Sequence, residues 1–366
     1  MKQYGPRNLL EIARKAKLPY TTVYSRVTKL EKLGALNTRI NPNYSKIGLA
    51  RAMVLATPLL GREMLTREAL KIPGYWLRIV RSIGDCNGYF SLHAVPLSNR
   101  RDFEIYLDQL VSRGVVKNHQ IFWLGESYSP LPNFDYYSIK DRAWRFDWKA
   151  WSKVSDASTE LEHKRQAQVE ASRFDKKDLI ILKEMVKDAK TTLASLTKLL
   201  AMTLPAAKYR FDRLSANGFI EDYVIGMLPY APDISTLCEV RLDFFKENLL
   251  AKVEKLFSRL PFVLSYSRIL GLNSIAARIY IPARETINLL TFLSSMVKEG
   301  VLSTYYYMQL EPLTIQAQTF AYKDYDDKSG WRYDNRTYLE TLDNLTTNWS
   351  KRETETLTPQ TITSMY

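Results

Sequence analysis

The sequence predicts an α+β fold in which one two-domain unit occurs twice, a winged helix-turn-helix followed by a ferredoxin-like βαββαβ domain. A short helix pair recurs at a shift of about 184 residues: Leu193, Leu196 and Met202 take the places of Leu9, Ile12 and Leu18. Ala207, Arg210, Phe211, Leu214 and Gly218 take those of Val23, Arg26, Val27, Leu30 and Gly34. Behind each pair the pattern switches to strands and helices in the order β-α-β-β-α-β. Its turn residues keep nearly constant offsets: Gly84/Gly271, Pro96/Pro282 and Gly114/Gly300. Trp144-Arg145-Phe146-Asp147 also returns as Trp331-Arg332-Tyr333-Asp334. A repeat this long marks a duplicated domain, not a solenoid period of roughly 20–50 residues. One chain can then form a pseudo-dimer.

The elements follow in order. Residues 7–17 form a short amphipathic helix, with Leu9, Ile12, Ala13 and Ala16 apolar, broken at Leu18-Pro19-Tyr20. A second helix runs from Thr21 to Leu33 and buries Val23, Val27 and Leu30 at i, i+4, i+7. Gly34 stops it, and residues 35–43 read as a β-wing closing at Gly48-Leu49. In the first βαββαβ domain, strands at 53–59, 76–83, 89–95 and 118–125 alternate with helices at 65–72 and 100–112. In the second, strands at 238–245, 263–270, 275–281 and 303–310 alternate with helices at 249–260 and 284–298. The expected domains are a first winged helix at 1–50, whose leading helix is short or missing, and a first ferredoxin-like domain with an aromatic extension at 51–154. A polar connector at 155–173 precedes a second winged helix at 174–235, which opens with an extra helix at 174–187. A second ferredoxin-like domain at 236–338 and a Thr-rich, partly disordered tail at 339–366 complete the chain.

The chain has 366 residues and a net charge of +13, which points to a polyanionic partner. The excess is local: residues 1–50 hold ten Lys or Arg against Glu11 and Glu31. Cys86 and Cys238, the only cysteines, fall at non-equivalent positions and suggest neither a metal site nor a disulfide framework. No apolar run approaches the ~20 residues of a membrane span. A cytoplasmic, nucleoid-associated protein is the expectation, with no membrane partner and no cofactor. No phosphate-binding glycine loop, nucleophile elbow or metal-ligand cluster is visible, so no catalytic residue is assigned.

Taken together, Ile12-Ala13, Leu18, Thr22-Val23, Arg26-Val27, Leu30-Glu31, Leu33-Gly34 and Asn41-Pro42 leading to Gly48-Leu49 resemble the Lrp/AsnC family of bacterial and archaeal transcription regulators. Leu179-Ile180-Ile181-Leu182, Leu196, Met202-Thr203-Leu204-Pro205, Arg210-Phe211, Leu214 and Asn217-Gly218-Phe219-Ile220 carry the likeness in the second copy. The resemblance implies RAM-like βαββαβ domains and double-stranded DNA as partner. It leaves open a small-molecule effector and a homo-oligomer of pseudo-dimers. The first copy departs by beginning almost at its second helix and by placing Pro19 at the usual Ser N-cap. The family's Gly-x-x-Asp effector motif has poor counterparts at Gly84-Asp85 and Gly271-Leu272.

A helix-turn-helix puts the second helix of each pair into the major groove. With Val23, Val27 and Leu30 inward, Thr21, Thr22, Tyr24, Ser25, Arg26, Lys29 and Lys32 are the DNA-facing candidates of the first copy. Lys208, Tyr209, Arg210 and Arg213 are those of the second. Their hydroxyls and cations suit base edges and phosphates. Arg26 and Arg210 are equally open to a structural salt bridge or to a phosphate contact alone. Because the two faces differ, an asymmetric operator is expected.

The same resemblance implies an enzyme alternative. Siroheme decarboxylases of haem biosynthesis are similar to this family, can consist of two such halves, and use His and Arg side chains in the pocket between the β-domains. His93 and His119, on strands of the first β-domain, are the candidates it points to. A third reading is a protein-interaction module presenting the aromatic run from Tyr136 to Trp151, which otherwise covers a sheet edge.

Overall fold

The computed structural model describes residues 5–141, 143–152, 173–227, 230–231, 234–257 and 259–357. The connector expected at 155–173 lies outside the described residues except for Arg173.

The first winged unit comprises α1 (Leu9–Ala16), α2 (Tyr20–Lys32) and β1 (Asn37–Pro42). The Asn8 side chain caps α1 by accepting the Glu11 N–H at 3.2 Å. α2 ends where Gly34 turns to φ +67°, which lets the Ala35 N–H reach the Leu30 carbonyl at 2.9 Å. The first βαββαβ domain follows as β2 (Leu49–Pro58), α3 (Glu63–Ala69), β3 (Trp76–Gly84), β4 (Gly88–Pro96), α4 (Arg100–Ser112) and β5 (Val116–Tyr128). An aromatic arm then carries β6 (Tyr137–Ser138), β7 (Ala143–Trp144) and α5 (Trp148–Ser152). The second winged unit is α6 (Lys176–Lys187), α7 (Leu193–Leu200), α8 (Leu204–Ala216) and β8 (Ile220–Gly226). The second βαββαβ domain is β9 (Ser235–Phe244), α9 (Glu247–Phe257), β10 (Val263–Ile269), β11 (Ser274–Pro282), α10 (Thr286–Lys298) and β12 (Leu302–Leu310). A second arm has β13 (Gln316–Ala317), β14 (Tyr325–Asp326), β15 (Gly330–Trp331) and α11 (Asn335–Leu357).

The two βαββαβ domains share one sheet in the order β12-β9-β11-β10-β5-β2-β4-β3. Its ends meet where Ser82–Gly84 pair with Met308–Leu310, so eight strands close into a ring. The halves therefore join twice, at β5–β10 and at β3–β12. Closure removes the free edges that each four-stranded sheet would otherwise present. Side chains alternate across it. Met53, Leu55, Val80, Phe90 and Leu124 join the core shared with the second domain. Their neighbours Ala52, Val54, Ala56 and Ile79 join the core under the first domain's own helices. The wings also pair: β1 and β8 run antiparallel from Asn37↔Gly226 to Asn41↔Asp222, binding the two winged units together.

The arms cross over. Trp144, Phe146, Trp148 and Trp151 pack against Tyr230, Phe262 and Phe292 of the second half. In return Trp331 donates its indole N–H to the Ile47 carbonyl at 2.6 Å, and Tyr333 lies 5.7 Å from the Tyr75 ring. The first arm thus packs on the other half with Trp151 buried and its other aromatics half-buried, which favours packing over the interaction-module reading of the aromatic run.

One further expectation needs correction, the burial of Leu30 in the first helix pair. The segment from Leu339 is helical through Leu357, and 358–366, the rest of the expected Thr-rich tail, lies outside the described residues. Tyr338, Leu342, Leu345 and Trp349 form an i, i+4, i+7, i+11 stripe that joins the first domain's core, and Arg113 anchors Asp343 at 2.5 Å. Leu30 is 39% exposed, whereas its equivalent Leu214 is fully buried. The cause is the leading helix: α6 supplies Leu179 and Leu182 to the core around Leu214, and no described helix precedes α1 in that role. The small first core of Ala13, Val23, Val27 and Leu36 instead borrows Ile225 and Met227 from the partner wing.

Candidate functional site

Two constellations stand out, one on the winged units and one inside the strand ring. In the first unit, Val23 and Val27 anchor α2 and turn the opposite face outward. Thr21, Tyr24, Ser25, Arg26, Lys29 and Lys32 are exposed there, and Thr22 is half-buried. Tyr20 and Tyr24 stack at 6.0 Å, giving the face a flat aromatic edge. Arg26, Lys29 and Lys32 make no ion pair or side-chain hydrogen bond among the described residues. The one acid of α2, Glu31, is held at 2.5 Å by Lys190 of the second unit.

In the second unit, Lys208 and Tyr209 are exposed on α8, but Arg210 and Arg213 turn back onto α6. Arg210 reaches Asp178 at 2.8 Å and Asp175 at 2.9 Å, and Arg213 also pairs with Asp178. Asp178 is fully buried. Asp175 and Asp178 cap α6 reciprocally, each accepting the other's backbone N–H. Both carboxylates are thus fixed by the helix start before the arginines arrive. Of the alternatives open for Arg26 and Arg210, the salt bridge forms at Arg210 and, among the described residues, not at Arg26.

Inside the ring lies a set of charged residues that periodicity and motif spacing did not single out. Arg278 and Glu239 are cross-strand partners, with Nε and Nη2 at 3.0 and 2.9 Å from Oε2. Arg51 donates to the Gly125 carbonyl at 3.0 Å and the Ser267 hydroxyl at 3.3 Å, joining the two halves. Arg241 lies 3.5 Å over the Tyr306 ring and 4.7 Å over Phe122. The buried Nε atoms of Arg78 and Arg241 have no hydrogen-bond partner among the described residues. Asp243 lies 3.4 Å from Arg241, and Glu221 acts on Arg51, so four arginines share this interior with three carboxyl groups. Arg278, followed by burial, pushes the Arg78 guanidinium down to about 9. Where β8 crosses β5, the Glu221 carboxyl accepts the Ser127 N–H at 3.3 Å, and burial pushes it up to about 7. The sequence did hold a signal. Arg51, Arg78, Arg241 and Arg278 each interrupt a strongly apolar strand at a position on the shared inner face.

The two histidines lie elsewhere. His93 sits under α4, 4.9 Å from the Phe103 ring, bonded to the Ser91 hydroxyl at 2.9 Å. Burial lowers it to about 3. His119 pairs with Asp108 of α4 at 2.9 Å. Both face the helices and not the space between the β-domains, which corrects their expected placement. Among the described residues, no three His, Cys, Asp or Glu side chains could hold a metal ion. No helix among them is long and apolar enough to cross a membrane.

A family model described as winged helix-turn-helix DNA-binding matches residues 174–221, the stretch that spans α6, α7, α8 and the start of β8. No curated protein matches the sequence. The crystal structure of the siroheme decarboxylase NirDL is similar over 93% of this chain and 93% of its own, with 10% identity and a TM-score of 0.52. The same protein in complex with an iron-uroporphyrin III analogue gives 10% identity, 93% coverage of each chain and a TM-score of 0.51. AsnC from E. coli is 14% identical over 38% of this chain and 95% of its own, with a TM-score of 0.28. The full-length likeness is one of fold alone.

Proposed function

We propose that the protein is a double-stranded-DNA-binding transcriptional regulator of the Lrp/AsnC type, with its recognition helix in the major groove. The observation that carries this reading is α2: an exposed helix of a winged unit whose Arg26, Lys29 and Lys32 are unneutralised. Cations held in this way release condensed counterions when they meet phosphates. Thr21, Thr22, Tyr24 and Ser25 supply hydroxyls that can read base edges. On α8 Lys208 and Tyr209 remain available, and Arg210 and Arg213 support the helix. The paired wings hold the two units on one ribbon. Binding of a duplex oligonucleotide should weaken steeply with salt, and Arg26→Ala should weaken it further. Unchanged affinity in Arg26→Ala would sink the helix assignment.

A second reading, a siroheme decarboxylase-like enzyme, is favoured by one feature: the arginine excess between the β-domains. Buried guanidinium groups without full partners suit the carboxylates of a polyanionic substrate. His93 and His119 do not serve this reading, because both face α4. Arg78, whose buried Nε has no hydrogen-bond partner among the described residues, would be its substrate-holding residue, and an Arg78→Ala variant that still turns over siroheme would remove it from that role.

A further inference from the structure

We propose that the two winged units divide the work on DNA: α2 makes the ionic contacts, and α8 docks as a charge-neutral face. This rests on the DNA-binding reading and adds which unit carries it. By the repeat, Arg26 corresponds to Arg210 and Lys29 to Arg213. The side chains are nearly the same, yet their surroundings are opposite. Asp175 and Asp178 clasp Arg210 and Arg213, so neither guanidinium has its charge free for a phosphate. The clasp is built on the first turn of α6, an element with no counterpart before α1 among the described residues. The first unit therefore has no described carboxylates placed to hold Arg26 and Lys29. Lys190 strengthens the contrast by reaching across from the second unit to neutralise Glu31. What remains on α2 is Arg26, Lys29 and Lys32. On α8 it is Lys208, offset by the exposed Asp212. One chain then makes strong phosphate contacts over one half-site only, and a symmetric operator would require two chains.

The test uses the full chain and a fluorescent random-sequence duplex, titrated across a series of salt concentrations. The slope of log affinity against log salt changes by about 0.9 for each phosphate that the protein ceases to neutralise. Arg26→Gln/Lys29→Gln should flatten the slope by about 1.8. Lys208→Gln/Tyr209→Ala, both exposed sites, should change it by less than about 0.9. Flattening by the full amount of about 0.9 in the α8 variant, or by less than about 0.9 in the α2 variant, overturns the division of labour while leaving DNA binding intact. Wild-type protein that shows no salt-sensitive binding overturns the DNA reading itself. Unchanged thermal unfolding of both variants establishes that a flatter slope arises at the DNA face and not from misfolding.

Discussion

Replacing Glu221 by Gln isolates one buried carboxyl where the wing ribbon meets the strand ring. Glu221 accepts the Ser127 N–H, and Arg51 lies close enough to favour its ionised form, yet burial dominates and places it at about 7. The folded state therefore holds this proton more tightly than the unfolded chain, where an ordinary carboxyl titrates near 4.5. Unfolding then releases a proton between the two values. The contribution to stability is complete below about pH 4.5 and is lost as pH rises through about 7. At about 1.4 kcal/mol per pK unit, the loss amounts to about 3 kcal/mol at pH 8. Gln keeps an acceptor for Ser127 and cannot ionise. Urea unfolding of wild type and Glu221→Gln at intervals from pH 5 to pH 8.5 gives the assay. The variant's advantage should be smallest at the acid end and grow to about 3 kcal/mol at the alkaline end. Because the comparison is a difference, titration of other groups cancels. A stability difference independent of pH would refute the assignment of a desolvated carboxyl at this position.

Other consequences can be checked separately. His93, lowered to about 3 by burial, is neutral in the fold and charges on unfolding. Its contribution is present above about pH 6.5 and is lost as pH falls towards 3, so His93→Gln should flatten the acid limb of the stability profile; an unchanged limb would exclude it. Asp178→Asn leaves Arg210 and Arg213 short of their shared carboxylate and should cost about 3 kcal/mol in urea unfolding; a cost under about 1 kcal/mol would show that the clasp is dispensable. Trp331→Ala removes an arm residue that packs on Tyr75 and bonds to Ile47, and should cost about 3 kcal/mol; a neutral result would mean that the crossed arm contributes little.

How much of this is legible in the sequence depends on whether the feature is local. The duplication, the βαββαβ order and the glycine stops need only periodicity and turn chemistry. Leu30 misleads because its period matches that of Leu214, while burial depends on a helix found only in the second unit among the described residues. The α11 stripe of Tyr338, Leu342, Leu345 and Trp349 is present but diluted by threonines. The crossing of the arms cannot be read, since Trp144 and Trp331 would look the same packed on their own half or on the other. The outward-facing set of α2 is legible from helical phase. The capture of Arg210 and Arg213 is not, because Asp175 and Asp178 lie more than thirty residues upstream on another helix. The inner arginines require knowing that both sheets close on one another.

The central claim is that this chain binds duplex DNA through exposed cations. Its most direct test is a titration of purified protein with random-sequence duplex at about 50 mM and about 200 mM salt, with an absorption spectrum of the protein as expressed. The expected result is an affinity that falls steeply between the two conditions and a spectrum without visible bands. A flat or absent response to DNA, together with a tetrapyrrole band, would contradict it and turn attention to the arginines inside the ring.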